Sequence, residues 1–485
     1  MKNQSVRWLI LGGGLAAIWP VSPASLAAET PSASAPATES PPPVLDWNTG
    51  ANKSYVIPAG EITGFLGSLN LFNRTFLNRT VYGATARTTW NHLKTLSLNY
   101  DDDPFNVNQF GHPAEGAIMY GMARSSGLNF WQSLFYSNAG SFLWETAGET
   151  EPPSFNDLIT TGQAGSLLGE ALFRMASLVL EKGGQRPGFW RELGATALMP
   201  SLGFNRLVHG QRFKSVFPSH NPPAFWQLRL GASADDRVRD NSATSTVKRQ
   251  EVILDFTMAY GLPGRSDYTY DRPFDYFQFE LGALSSAHTH NWLENLFCHG
   301  LLWGKTYEVG DNCTGVWGAY GSYDFASPQI FRVSSTAASL GTTVQWWLAK
   351  NVALQGTLLG GMGFGGAGTN PIRGKRDYHY GVTPQGLAAV RLIFGERAML
   401  DLTGRGYYIS GTGSDDTLGT ETIMRGKAGI TVRVLGRNAL GLQYVASRRV
   451  SGYYIHPPTY QSVGTFSLTY SYLSDTQFGA IGSHQ

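Results

Sequence analysis

The chain has 485 residues, a formal net charge of +2 and only 15% charged residues, against about 25% in ordinary soluble domains. Near-neutral charge gives no nucleic-acid footprint. After the N-terminus no uninterrupted apolar run reaches the roughly 20 residues that a membrane-spanning helix needs. With 58 glycines and 13% aromatic residues, the composition points to a membrane β-barrel, with a soluble secreted β-protein as the main competitor.

Residues 1–28 read as a secretory signal peptide. Lys2 and Arg7 precede the apolar run "WLILGGGLAAIW", and Ser25 and Ala27 are small residues placed for cleavage. The following stretch, "ETPSASAPATESPPP", is rich in Pro, Ala and Ser, so residues 29–46 read as a disordered leader. Export together with a barrel implies the outer membrane of a Gram-negative bacterium.

Residues 47–212 carry a helical pattern. In "NFWQSLFYSNAGSFLWETAGE", Phe130, Leu134, Phe135 and Phe142 fall close to one stripe. The next segment has Ser154 as its N-cap, and Leu167, Leu168, Leu172, Met175 and Leu178 form an apolar face. Gly162, Gly165 and Gly169 would let a neighbouring backbone approach closely. The Pro152-Pro153 pair separates two helices, and Pro200 breaks a third.

From about Phe225 the hydrophobic period changes to two, and residues 222–478 read as an antiparallel barrel of about twelve strands. Short turns such as "AKN", "GER" and "GRN" alternate with long loops, as inner and outer connections of such barrels do. "LPGRSDYTYDRP" is long for an inner turn. The fold class is therefore α+β: a transmembrane barrel preceded by a helical unit. So large a unit would not fit a twelve-strand lumen, so most of it is expected to cap the periplasmic mouth, with one helix inserted as a plug. Phe478 is followed by "GAIGSHQ", a departure from barrels that end on an aromatic residue.

Four motifs lie in the helical half: "DDPFNVNQFGHP", "ARSSGLNFW", "WETAGETEPPSFND" and "GEALFR". Over about residues 90–210 they resemble an uncharacterised bacterial domain-of-unknown-function family of predicted outer-membrane proteins. The resemblance implies a helical unit joined to a barrel and implies no activity.

The polar residues of these motifs form the candidate site. Glu145 and Glu149 are four apart, on one helical face or at its frayed end. Asp157 stands in the first turn after Ser154, where the helix dipole favours an acid, and His112 is held extended by Pro113. A histidine with two or three carboxylates can hold a divalent metal or perform acid–base hydrolysis, which makes His112, Glu145, Glu149 and Asp157 the catalytic candidates. The alternative is a buried, mutually satisfied polar network, in which Arg124 and Arg174 pair with carboxylates and Glu170 precedes Arg174 by four residues. That structural alternative is favoured, and no cofactor is called for. The three aspartates of "YDDDPF" read as turn residues of a rigid connector and not as a calcium loop. His288 and His290, two apart on a strand, are weak metal candidates. Cys298 and Cys313 would lie many rungs apart in a hairpin and read as free thiols.

The expected function is a structural or gated-passage role in the cell envelope, with the enzyme reading second: a lipid or glycolipid hydrolase. Expected partners are outer-membrane lipid, lipopolysaccharide and the barrel-assembly machinery, with no nucleic acid. "GKRDYH" and "SRR" are basic outer-side segments that could meet lipopolysaccharide phosphates, although isolated surface cations usually do nothing specific.

Overall fold

A computed structural model describes residues 43–482, apart from residues 96, 102, 185 and 329 and the segments 242–247, 286–291, 370–377, 412–418 and 454–455. The signal peptide, His288 and His290 therefore lie outside the described residues. The helices are α1 (Val56–Phe76), α2 (Ala86–Thr95), α3 (His112–Ser125), α4 (Phe130–Ala147), the short α5 (Phe155–Asp157), α6 (Gly165–Glu181), α7 (Phe189–Leu198) and α8 (Pro200–Val208). π-Helical turns over Val107–Gly111 and Leu158–Ala164 lead into α3 and α6. The strands run from β1 (Ala224–Asp240) and β2 (Gln250–Tyr260) through β3 (Phe277–Ser285), β4 (Leu293–Val309), β5 (Cys313–Ala326), β6 (Phe331–Ala349), β7 (Val352–Thr369), β8 (Tyr378–Phe394), β9 (Ala398–Ile409), β10 (Gly419–Leu435) and β11 (Asn438–Tyr453) to β12 (His456–Leu473).

All twelve strands pair antiparallel with their chain neighbours, and β1 pairs with β12, which closes the cylinder. Closure leaves no strand edge unpaired, the condition for crossing a bilayer with strands. Alternation sorts the side chains. On β1, Leu228 and Leu230 face out and are exposed, while Gln227, Arg229 and Ser233 face in and are buried. Tight turns at the inner end use glycines in the left-handed region, Gly310, Gly395 and Gly436. Outward Trp303, Trp317, Trp346, Tyr408 and Tyr470 are among the exposed aromatics, as in the girdles of membrane barrels. Their neighbours Trp347 and Tyr407 turn inward and are hydrogen-bonded.

Ion pairs line the lumen, mostly between neighbouring strands, and the pair of Lys427 on β10 with Glu280 on β3 crosses it. Arg229 meets Asp255 at 2.6 Å, Lys427 meets Glu280 at 2.6 Å, Arg391 meets Asp401 at 2.6 Å and Arg449 meets Glu421 at 2.6 Å. Arg449 belongs to the "SRR" stretch expected to face lipopolysaccharide; strand alternation turns it inward instead. After β12 the chain bends back at Phe478 (φ 55°) and Gly479 (φ 79°). Phe478 is buried among Phe225, Leu262, Ala353, Ile393 and Met399. The carbonyl of Gly479 accepts from Gln355 Nε2 at 2.8 Å, and that of Ile481 accepts from Gln345 Nε2 at 2.6 Å and Trp347 Nε1 at 3.1 Å. The tail thus leaves β12 and is fastened to β6 and β7, on the far side of the cylinder, as a strap across the inner mouth.

The helical unit does not cap that mouth or enter the lumen. It lies on the outer wall. Register links Met258, Phe279, Cys298, Tyr323, Thr336, Phe364 and Val382 in one rung across β2 to β8. Because the strands tilt, this rung climbs from the inner end of β2 to the outer end of β8. Along it, the outward-facing Met258, Tyr260, Phe277, Phe279, Leu296, Cys298, Tyr323, Phe325, Tyr378 and Tyr380 are all buried, packed with Phe105, Tyr120, Phe130, Leu167 and Leu168 of the helical unit. A side chain at Gly300 would meet the Phe274 ring at 2.7 Å, and one at Gly321 would meet Leu167 at 2.7 Å, so small residues open the wall to the helices. The cap-or-plug expectation failed because lipid and a packed helix ask the same apolar character of an outward strand position. The lumen, meanwhile, is lined by the barrel's own charged groups and strapped below by its own tail.

The long inner turn between β2 and β3 clasps the unit. Arg174 donates to Asp275 Oδ1 at 2.7 Å and to the Pro273 carbonyl at 2.6 Å, and Phe130 stacks on Phe274. Cys298 and Cys313 are free thiols.

Candidate functional site

Within the helical unit the chain builds two polar clusters of opposite character. The first is balanced. Glu170 Oε1 accepts from Arg174 Nε at 2.7 Å, and Oε2 accepts from Arg124 Nε at 2.9 Å and Tyr120 Oη at 2.7 Å. Arg174 adds Asp275, and the guanidinium of Arg124 lies 4.7 Å from the ring centre of Phe173 and 4.6 Å from that of Phe217. Burial pushes the Glu170 carboxyl up, but Arg124 and Arg174 outweigh it and hold the group below its ordinary value. α3 and α6 can bring these residues together because they cross at glycines. A Cβ on Gly165 would sit 2.6 Å from the Gly116 Cα.

The second cluster is not balanced. Both of its principal residues adjoin π-helical turns. His112 follows Val107–Gly111, and Asp157 precedes Leu158–Ala164. Such turns widen the helix locally, re-aim side chains and recur at functional sites. His112 Nε2 faces Asp157 Oδ1 at 3.7 Å, and Nδ1 faces Glu115 Oε2 at 3.9 Å. Asp101 joins them: one ligand-type atom from each of Asp101, His112 and Asp157 lies within 4.8 Å of the others. Glu145 Oε2 accepts from the Ser154 amide at 2.7 Å, and Glu149 Oε1 accepts from Trp144 Nε1 at 2.9 Å. Among the described residues no lysine or arginine pairs with Asp101, Glu115, Glu145, Glu149 or Asp157.

Excess negative charge in a buried place moves protons. Burial pushes Asp157 up to about 7, opposed by His112. Burial likewise pushes Glu149 up to about 8 and Glu145 well above the carboxylate range. Burial alone would lower His112, but Asp157, Glu115, Glu145 and Glu149 outweigh it and raise the imidazole to about 9. Near neutral pH His112 therefore carries a proton, Asp157 stands near its midpoint, and Glu145 and Glu149 are pushed toward their protonated forms, a spread that acid–base chemistry uses. The pair is nearly sealed, with side-chain exposures of 11% and 4%.

Hydrogen bonds tie this cluster to the barrel. Asn156 donates to Asp157 Oδ1 at 2.6 Å and to Tyr380 Oη at 3.1 Å. Gln109 donates to the same Tyr380 hydroxyl at 3.0 Å, Asn108 donates to Tyr378 Oη at 2.9 Å, and Tyr323 donates to the Gln109 carbonyl at 2.5 Å. The stretch that reads as a rigid connector is thus the polar docking edge of the unit on the wall.

Residues 97–201 match the model of a family described as a domain of unknown function, DUF3943. The DUF3943 segment contains all six residues of the second cluster. No curated protein matches the chain. Among solved structures, the chain is similar to the translocator domain of the autotransporter NalP from Neisseria meningitidis (14% identity, 51% of this chain and 87% of that one, TM-score 0.22). It is also similar to the outer membrane channel DcaP of Acinetobacter baumannii (8% identity, 52% and 96%, TM-score 0.21). A third is the toluene transporter TodX of P. putida (10% identity, 56% and 92%, TM-score 0.22).

The structure therefore brings His112, Glu145, Glu149 and Asp157 into one cluster and Arg124, Glu170 and Arg174 into the other. Sequence reasoning missed Asp101, Glu115, Asn156, Tyr380 and Asp275. Glu115 was within reach, because it stands one helical turn after His112. Tyr380 and Asp275 are far off in the chain, and no local pattern announces them.

Proposed function

We propose that this is an integral outer-membrane protein of a Gram-negative envelope which works through its laterally docked helical unit, at the lipid-facing wall, and not by passage through its lumen. The observation that supports this reading most is the diagonal band of buried outward positions from β2 to β8. A unit seated there occupies space that lipid takes up around the rest of the cylinder. Its own outer surface suits that setting: Phe135 is 67% exposed, Trp190 78% and Leu207 83%. Apolar side chains so exposed and so numerous mark a membrane or partner surface. No described helix is long and apolar enough to cross a membrane, so the helices lie beside the barrel as an interfacial layer. Photo-reactive residues at Trp131 and Trp190 test this in intact cells. Adducts with acyl chains are expected, and labelling by water alone would refute the reading.

A second reading, a lipid-directed hydrolase, is favoured by one specific feature. His112 and Asp157 face each other at 3.7 Å, with protonatable Glu145 and Glu149 alongside. A His112→Ala strain whose barrel assembles normally but whose outer-membrane lipid profile changes would support it. An unchanged profile would leave only the structural role.

A further inference from the structure

The second cluster has the donor set of a metal centre. One imidazole nitrogen and two carboxylates lie within 4.8 Å of one another, from Asp101, His112 and Asp157. A cation about 2.0–2.2 Å from each donor would sit between them after a small closure. Glu115 stands behind the imidazole, its Oε2 at 3.9 Å from Nδ1, where an orienting carboxylate stands in histidine-metal sites. Its other oxygen is buried without a hydrogen-bond partner among the described residues. A buried group without a partner is costly unless something present in the working protein satisfies it. Five carboxylates gather on one imidazole with no basic side chain among the described residues paired to them, whereas the neighbouring Glu170 cluster is paired with arginines. Two π-helical turns, one beside each of His112 and Asp157, set the donors facing each other.

We propose that Asp101, His112 and Asp157 hold a divalent first-row cation of the Mn²⁺, Fe²⁺ or Zn²⁺ class. One nitrogen and two oxygen donors suit these ions better than a thiolate-seeking metal. Glu115 orients the imidazole, and Glu145 and Glu149 stand beside the ion as further carboxylates. Three protein donors leave positions open for water or for a substrate oxygen, as catalytic and not purely structural sites do. The inference concerns the same site as the hydrolase reading and deepens it, but its test needs no turnover.

The full-length protein, purified in detergent and stripped with chelator, is titrated with Mn²⁺ and followed by electron paramagnetic resonance. One Mn²⁺ per chain is expected, showing nitrogen coupling from a single imidazole. Zn²⁺ should displace it. Asp157→Asn should weaken binding about tenfold or more, and Asp101→Asn, in a half-buried loop, provides a variant that leaves the helix packing intact. Absence of stoichiometric binding, binding without nitrogen coupling, or binding unchanged in Asp101→Asn would each overturn the proposal. The two readings separate cleanly. Bound metal with unaltered lipids in the His112→Ala strain sinks the hydrolase and leaves the centre; altered lipids with no bound metal does the reverse.

Discussion

At the scale of single residues, Glu170 is the clearest test of what holds the helical unit together. It accepts from two buried arginines and a tyrosine. Glu170→Gln leaves Arg124 and Arg174 facing a neutral group in a buried place, and removing one partner of such a pair costs roughly 3–5 kcal/mol. A marked fall in the melting temperature of the helical signal is expected, while the barrel's strand signal persists. The same residue sets a pH dependence. Its carboxyl is held below the ordinary glutamate value, so the ionised pair contributes fully above that ordinary value, about 4.3. The contribution is lost as pH falls through the lower folded value. The Glu170 contribution, read as the difference in helical melting between the wild type and Glu170→Gln, should stay constant from neutral pH down to about pH 5 and shrink below about pH 4.

At the scale of elements, the crossing of α3 and α6 rests on contact between Gly116 and Gly165. Ala at position 165 would bring its Cβ within 2.6 Å of the Gly116 backbone, and overpacking of this kind costs about 1–3 kcal/mol. Limited proteolysis should then release the helical unit sooner, and an unchanged cleavage rate would count against the crossing. Of the glycines read from the sequence as a close-approach surface, Gly165 does meet a neighbouring backbone, at Gly116, whereas Gly162 and Gly169 make room for the side chains of Asn138 and Tyr120. The strands were legible too, since alternation and turn length follow from the pleat and from closure. What covered the outward face was not legible. Met258, Phe279 and Cys298 satisfy a lipid-facing pattern and a helix-facing one equally well. The long β2–β3 turn looked like an irregularity of inner-turn length; its reason is the clasp of Asp275 on Arg174 and of Phe274 on Phe130, residues far earlier in the chain. The polar cluster was half legible. His112, Glu145, Glu149 and Asp157 could be named, but Asp101 read as a turn residue because its partners arrive through tertiary packing.

At the scale of the whole molecule, two closures coexist: a barrel wall covered by helices, and an inner mouth strapped by residues 474–482. Phe478, Gly479 and Ile481 bind Gln345, Trp347 and Gln355 across the opening. Deleting the segment from Ser474 onward should raise conductance in planar bilayers above that of the intact protein. An equally silent truncated protein would mean that the luminal ion pairs alone seal the pore.

The central claim, that the helices sit on the outside of the cylinder, can be measured through a native thiol. Cys298 faces outward beneath α6, with its sulfur 3.7 Å from the Leu167 carbonyl, whereas His299, next in the chain, faces the lumen. In a Cys313→Ser background, Leu167→Cys is oxidised in intact cells, and a protease site in the segment between α8 and β1 then separates the two halves. The halves should stay covalently joined through position 298. Halves that part at 298 but stay joined when the partner thiol is moved to the lumen-facing position 299 would place the helices inside the barrel and contradict the account.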